Sequence, residues 1–292
     1  MTSINTISST ENSNKYKNIA LGTTGAIIGW EAEPYIRRAL FYPTRKYISE
    51  TLPERQNGEY KAYIDKALEE FPYKKIHLFD INEKNSEEIL KKIGLKFEEP
   101  SLFQKIKKHI LRQPNNRKKF IQETIEGKNA LYNGRANLIL CNCEKHGSAF
   151  FHELGHAYNS NTTNKAIKLL TAIRTPLAVL FPPAISLAAM LTNPKPNGEI
   201  TDSADFIKKY CGPIASLCTL PLMAEECLAS YKGYKIAKNM NIPTELLQKV
   251  KKSAICSGIS YSAGLICLGL AVQSASKIRD IICKPIYDNN RP

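Results

Sequence analysis

Two histidines four residues apart, His152 and His156, flank a glutamate in AFFHELGHAYN, residues 149–159, of a chain with only 5 histidines. Residues i and i+4 of a helix stack on one face, so both imidazoles can point a nitrogen at one metal ion. Glu153 follows His152 by about 100° around the helix, within reach of a water on that metal without being a ligand. The chemistry such a trio can do is hydrolysis: zinc acidifies a water and polarises a carbonyl, and the carboxylate takes the proton. Catalytic zinc usually has three protein ligands, so one is missing. The remaining histidines, His77, His109 and His146, do not extend the motif, because AYNSNTT follows His156. A carboxylate is the better candidate. Glu225 and Glu226, in AEECLASYKGYKIA, abut an uncharged run of fifteen residues, Tyr210 to Ala224. Burying such a pair is costly unless something binds it, and a metal is such a partner. The alternative for the pair is a solvated helix start at a membrane edge.

The elements that must hold these residues follow from local pattern. Gly147 and Ser148 can open a helix with Ser148 as N-cap, Phe150, Phe151 and Leu154 supply packing surface, and NSN from Asn159 closes it. Upstream, residues 55–145 predict a soluble α+β region. EYKAYIDKALEEF has helical spacing, KKIHLFDI reads as a strand, and NSEEILKKI starts a helix with Ser86 as N-cap. SLFQKIKKHIL repeats the helical pattern from Ser101, and a turn at Asn133–Arg135 leads into the β-prone ANLILCN. No residue is assigned to oxyanion stabilisation, although Tyr158, Tyr231, His146 and Arg135 are all within sequence reach.

After the histidine stretch the composition changes. Thr175–Pro194 holds twenty residues without a charge and Ser253–Ser276 holds twenty-four. A bilayer asks for about twenty apolar residues per helix, with a lower limit of about seventeen, so these two qualify and Tyr210–Ala224 is short. Pro176, Pro182, Pro183, Pro213 and Pro221 would kink these helices. Ser260 with Gly264, and Ala271 with Ala275, have the spacing of close helix packing. A further uncharged stretch, Asn18–Trp30, suits a short anchor or a buried hairpin, with Arg37, Arg38, Arg45 and Lys46 behind it. The segmentation expected is a mobile tail at 1–16, the anchor and basic segment at 17–54, the histidine-bearing region at 55–165, an apolar helical hairpin at 166–224, a third-ligand helix at 225–252, and an apolar helix and tail at 253–292.

The chain of 292 residues carries 41 basic and 27 acidic residues, a net charge of +14. Its lysines are scattered, without the aromatic interleaving or arginine stripe of a nucleic-acid groove, so nucleic acid is not an expected partner. The 8 cysteines have no paired framework and several lie in apolar runs, which favours a reducing compartment. Cys141 and Cys143 lack the second pair that a metal site would need.

HELGH, two apolar segments, and then E-x-x-A-S from Glu226 to Ser230 together resemble the membrane-embedded gluzincins, the HtpX-like and CAAX-prenyl-protease-like peptidases. The serine variant is also similar to the neutral zinc metallopeptidases of bacterial membranes. The resemblance covers roughly residues 130–240. It implies Glu226 as third zinc ligand, since Ala229 and Ser230 fall at the matching offsets, and leaves Glu225 behind the ligand or at the surface. Ser230 stands where the HtpX-like enzymes carry aspartate, and ANLILCN, Ala136 to Asn142, lies where zincins of this kind keep the edge strand that pairs with an extended substrate. The expectation is therefore a mainly α protein with a small β-sheet, an α+β zincin-like catalytic domain, plus transmembrane helices. It would be a membrane-associated zinc endopeptidase with one Zn2+ held by His152, His156 and Glu226, Glu153 as general base, and peptide substrates and a lipid bilayer as partners. The lysine-rich flanks of 55–165 and of the loop from Tyr231 to Lys252 put the site on the cytoplasmic face. A soluble or secreted zincin with buried apolar helices, and a zinc-binding protein without turnover, fit the same residues.

Overall fold

The structure, a computed structural model, describes residues 4–51, 58–93, 117–193 and 199–289. The helix expected from Ser101, and His109 with it, lie outside the described residues. Among the described residues the chain is mainly helical with one small sheet. In order, the elements are α1 (Ile4–Thr51), α2 (Lys61–Glu69), β1 (His77–Asp80), α3 (Ser86–Lys92), α4 (Arg117–Ile125), β2 (Ala130–Asn133), β3 (Leu138–Cys141), α5 (Cys143–Asn161), α6 (Lys165–Leu191), α7 (Ser203–Asn239) and α8 (Thr244–Asn289).

Contacts divide the chain into two compact units. One comprises Met1–Pro43, Leu180–Thr219 and Gly264–Pro292, and the other Thr44–Val179 and Leu220–Ala263. Segmentation by composition differs from this because it follows runs along the chain, whereas the units gather distant stretches. A helix begins at Ile4, inside the expected tail, and runs unbroken through Asn18–Trp30, which therefore is not a hairpin. Extending an existing helix costs less than nucleating one, so the Ser- and Asn-rich start can be carried by the turns that follow. The third-ligand segment is likewise not a separate helix. α7 continues through Ala224 and Glu225 to Asn239, and the break comes where Asn241 takes a left-handed φ of 55° just before Pro243.

In the unit containing the histidines, the sheet order is β1-β3-β2. β3 pairs parallel with β1, Ile139 opposite Leu78, and antiparallel with β2, Ile139 opposite Tyr132. The hairpin between β2 and β3 is set by asparagines: Asn133 Oδ1 accepts from the amides of Arg135 and Ala136, and Asn137 adopts a φ of 46°. ANLILCN is thus the central strand, hydrogen-bonded on both sides, and not an edge. The edge next to it, β2, escaped sequence reading because four residues, ALYN, carry too little alternation. On one side of the sheet Tyr60, Ile64, Ile139, Phe150, Phe151 and Leu154 form a core with almost no exposure. The Tyr60 hydroxyl donates to the Leu246 carbonyl at 2.8 Å, and Gly147 leaves room for the Tyr60 ring.

Two glycines fix the crossing of α5 and α7. A Cβ on Gly155 would collide with the Ala229 backbone, and one on Gly233 with the carbonyl of Phe151. The helices therefore touch backbone to backbone, which is what brings Glu225, Glu226 and Ser230 beside the histidines. Gly155→Ala is expected to cost about 1–3 kcal/mol through overpacking, read as a lowered thermal midpoint; an unchanged midpoint would show that the helices part without penalty.

The other unit buries Met190, Cys211, Ala215, Val272 and Ala275. Ala271 and Ala275 are fully packed, as their spacing predicts, whereas a Cβ on Gly264 would meet nothing. Lys208 is buried there, its ammonium donating to the Ala189 carbonyl at 2.9 Å and paired with Asp280 at 2.6 Å. Among the described residues two helices are long and apolar enough to cross a membrane, Lys165–Leu191 and Thr244–Cys283. α7, which contains the Tyr210–Ala224 run, is not among them.

Candidate metal centre

The helix that carries HELGH begins earlier than its sequence predicts and is in two pieces. Asn142, not Ser148, is the N-cap, its side chain accepting from the Lys145 amide at 2.9 Å. His146 then departs from helical geometry (φ −144°, ψ 47°), so the piece that bears the histidines starts at Gly147. Asp80, at the end of β1, accepts from the Cys143 amide at 2.9 Å and ties this helix start to the sheet. The helix runs to Asn161, the last residue of the expected NSN stop, and Asn161 donates back to the Ala157 carbonyl and to the Tyr132 hydroxyl of β2.

His152, His156 and Glu226 converge, as the sequence predicts. His156 Nε2 and His152 Nε2 are 3.1 Å apart, and Glu226 Oε2 is 3.2 Å from each. A tetrahedral ion with bonds of about 2.0–2.1 Å holds its donors roughly 3.3 Å apart, so this near-equilateral triangle has the size of a metal face. The surroundings say why it is not an ordinary hydrogen-bonded cluster. Glu225 Oε1 lies 2.9 Å from His156 Nδ1, and a carboxylate only accepts, which puts the His156 proton on Nδ1. Ser230 Oγ stands 2.9 Å from His152 Nδ1 in the equivalent place. The Ser230 hydroxyl can accept as the carboxylate does, and when both rings carry the proton on Nδ1, two imidazole lone pairs and a carboxylate oxygen face one another. Such a donor set repels itself unless a cation sits among them. These three residues fit a metal ion, and among the described residues they are a group placed to hold one.

Ser230 thus stands to His152 as Glu225 does to His156. Glu225 is fully buried, and its Oε1 also accepts from Asn159 Nδ2 at 2.9 Å. Arg174, on α6, is ion-paired with Glu225 Oε2 and lies 3.4 Å from Glu226 Oε1.

Glu153 is 8% exposed and lines the same cavity, about 490 Å³ in volume, as His152, His156 and Glu226. One wall of that cavity is β2 with the residues leading into it, Lys128 to Tyr132. A stripe of α8, Ser253, Cys256, Ser257, Ser260 and Tyr261, also lines it. Of the residues in sequence reach for oxyanion stabilisation, His146 lines the cavity. Its imidazole is pushed down to about 4 by burial and by His152, so it stays neutral near neutral pH. Tyr158 packs instead against Phe71 and Tyr73, and Tyr231 is exposed. Sequence reasoning missed Arg174, Asn159 and Tyr261. Asn159 follows His156 by three residues on the same helix face, and Arg174 is the last charge before the twenty-residue uncharged run of α6; both signals were present but not specific.

No protein-family model, no curated protein and no solved structure matches the chain.

Proposed function

We propose that this protein is a membrane-associated zinc-dependent endopeptidase with a zincin-like catalytic unit. The observation that carries this reading is the triangle of His152 Nε2, His156 Nε2 and Glu226 Oε2, 3.1–3.2 Å on each edge, in one cavity with Glu153. Zinc is the metal favoured by two neutral imidazoles and one carboxylate with an open fourth position. When bound, it supplies an acidified water and a Lewis acid for the scissile carbonyl.

The chain's own residues do the rest. Glu153 takes the proton from the attacking water and returns it to the leaving amine. Glu225 and Ser230 keep the histidines in the tautomer that points Nε2 into the site. The outer edge of β2 is the surface for an extended substrate, because β3 already spends its backbone groups on β1 and β2. His146 and Tyr261 are the cavity donors that face a developing oxyanion.

Membrane association rests on α6 and α8. Only 22% and 33% of their most apolar windows are buried, whereas the core helix of a soluble protein is mostly covered. Leu180, Phe181, Leu187, Ile266 and Leu270 all stand between 44% and 57% exposed. The lysine distribution favours the site facing the cytoplasm.

The test is extraction followed by assay. The protein is expected in the membrane fraction and to need detergent; purified in it, the protein should hold about one zinc per chain and cleave casein, with a chelator abolishing cleavage and added zinc restoring it. Recovery without detergent would move the protein to the soluble reading. Zinc without cleavage would leave a binding protein.

A further inference from the structure

We infer that Arg174 is the positioning residue that divides the labour between the two adjacent glutamates, committing Glu225 to the His156 ring and leaving Glu226 for the metal. This rests on the metal reading above and deepens it. Neighbouring glutamates of one helix that both reach a pair of histidines are chemically interchangeable as ligands, so something in the structure must tell them apart. Each oxygen of Glu225 is already engaged. Oε1 accepts from His156 Nδ1 and Asn159 Nδ2, both at 2.9 Å, and Oε2 is ion-paired with Arg174 Nη1. Glu226 meets the same guanidinium nitrogen only through Oε1, at 3.4 Å, and turns Oε2 to the two imidazoles.

Charge makes the same division necessary. Glu225 is fully buried, Glu226 is 7% exposed and Glu153 is 8% exposed. Three carboxylates in one buried site repel each other, and a divalent cation alone leaves one negative charge over. The Arg174 guanidinium supplies the remaining positive charge, so the loaded site is electroneutral. It does so from α6, a third helix, so the arrangement does not depend on the α5–α7 crossing alone. Guanidinium suits this place better than ammonium because one planar group can face two carboxylates.

Removing Arg174 frees Glu225 Oε2 to compete for the cation. That weakens metal binding, and the loss should not add to the loss caused by a second substitution that discharges Glu225. The experiment compares wild type, Arg174→Met, Glu225→Gln and the double variant in detergent, with zinc affinity read by competition against a chromophoric chelator. Cobalt-substituted protein gives a visible-band spectrum as a report of ligand geometry. Arg174→Met is expected to weaken zinc by about 10- to 100-fold, the range seen when a group supporting a ligand is lost, and to alter the cobalt spectrum. The double variant should bind as well as Glu225→Gln alone, since the charge that Arg174 balanced is gone. Arg174→Lys should recover part of the loss, and thermal melts show that each variant is folded.

If wild type holds zinc and Arg174→Met binds it equally well, the inference is overturned. It is also overturned if the double variant binds more weakly than Glu225→Gln by the full factor that Arg174→Met shows alone, because Arg174 would then be acting independently of Glu225. Wild type that holds no zinc would instead remove the metal reading itself.

Discussion

Glu153→Gln protein is expected to retain about one zinc per chain and to lose roughly 10²- to 10⁴-fold of its casein cleavage, the contribution of a positioned general base. The two effects separate because Glu153 is not among the three converging donors yet lines the cavity they face. Glutamine has nearly the same shape and still donates and accepts, so the packing around a residue only 8% exposed is preserved. An amide cannot take the water's proton. The measurement is zinc content and initial cleavage rate on the same detergent-purified sample, with the melting temperature as a check on the fold. Cleavage retained at the wild-type rate would take the base role from Glu153. Loss of zinc together with cleavage would place it among the ligands.

The motif was legible in the sequence because it is local. His152, Glu153 and His156 sit within five residues, and a helix of 3.6 residues per turn determines their relative directions wherever it lies. Glu226 was legible through resemblance and through the cost of burying a carboxylate beside an apolar run. What could not be read are properties of packing at a distance. Whether ANLILCN is a central or an edge strand depends on β2, a four-residue strand with no pattern of its own. That Ser230 rather than an acid can orient His152 depends on the α5–α7 approach, which Gly155 and Gly233 permit and which no spacing announces. Arg174 reads in sequence as a charge at the end of an apolar helix. Only the fold turns it toward Glu225 and Glu226. The apolar runs located α6 and α8 but fell short of their 27 and 46 residues, and they did not give the continuity of α7 through Glu225, where no proline interrupts the chain between Ala224 and Asn239.

Glu226→Ala and Glu225→Gln should fail in different ways, and the difference tests the ligand set directly. Without Glu226 the cation keeps two imidazoles and loses its only anionic donor, so the variant is expected to leave purification without zinc and without cleavage. Glu225→Gln keeps an oxygen that can accept from His156 Nδ1, and it leaves Glu226 Oε2 in place. That variant should still reach about one zinc per chain when the metal is in excess, with affinity lowered about 10- to 100-fold through the weakened hold on His156. It also strips Arg174, whose side chain is 19% exposed, of its closest counter-charge. Breaking a fully buried pair at one partner costs about 3–5 kcal/mol and this one is partly open to water, so Glu225→Gln should melt below wild type by less than that when metal-free, and added zinc should recover part of the difference by binding the folded state. Titrating both variants with zinc while following the melting temperature reads all of this in one series. Full zinc stoichiometry in Glu226→Ala with none in Glu225→Gln would mean that Glu225 is the ligand and that the triangle of donors is drawn on the wrong glutamate.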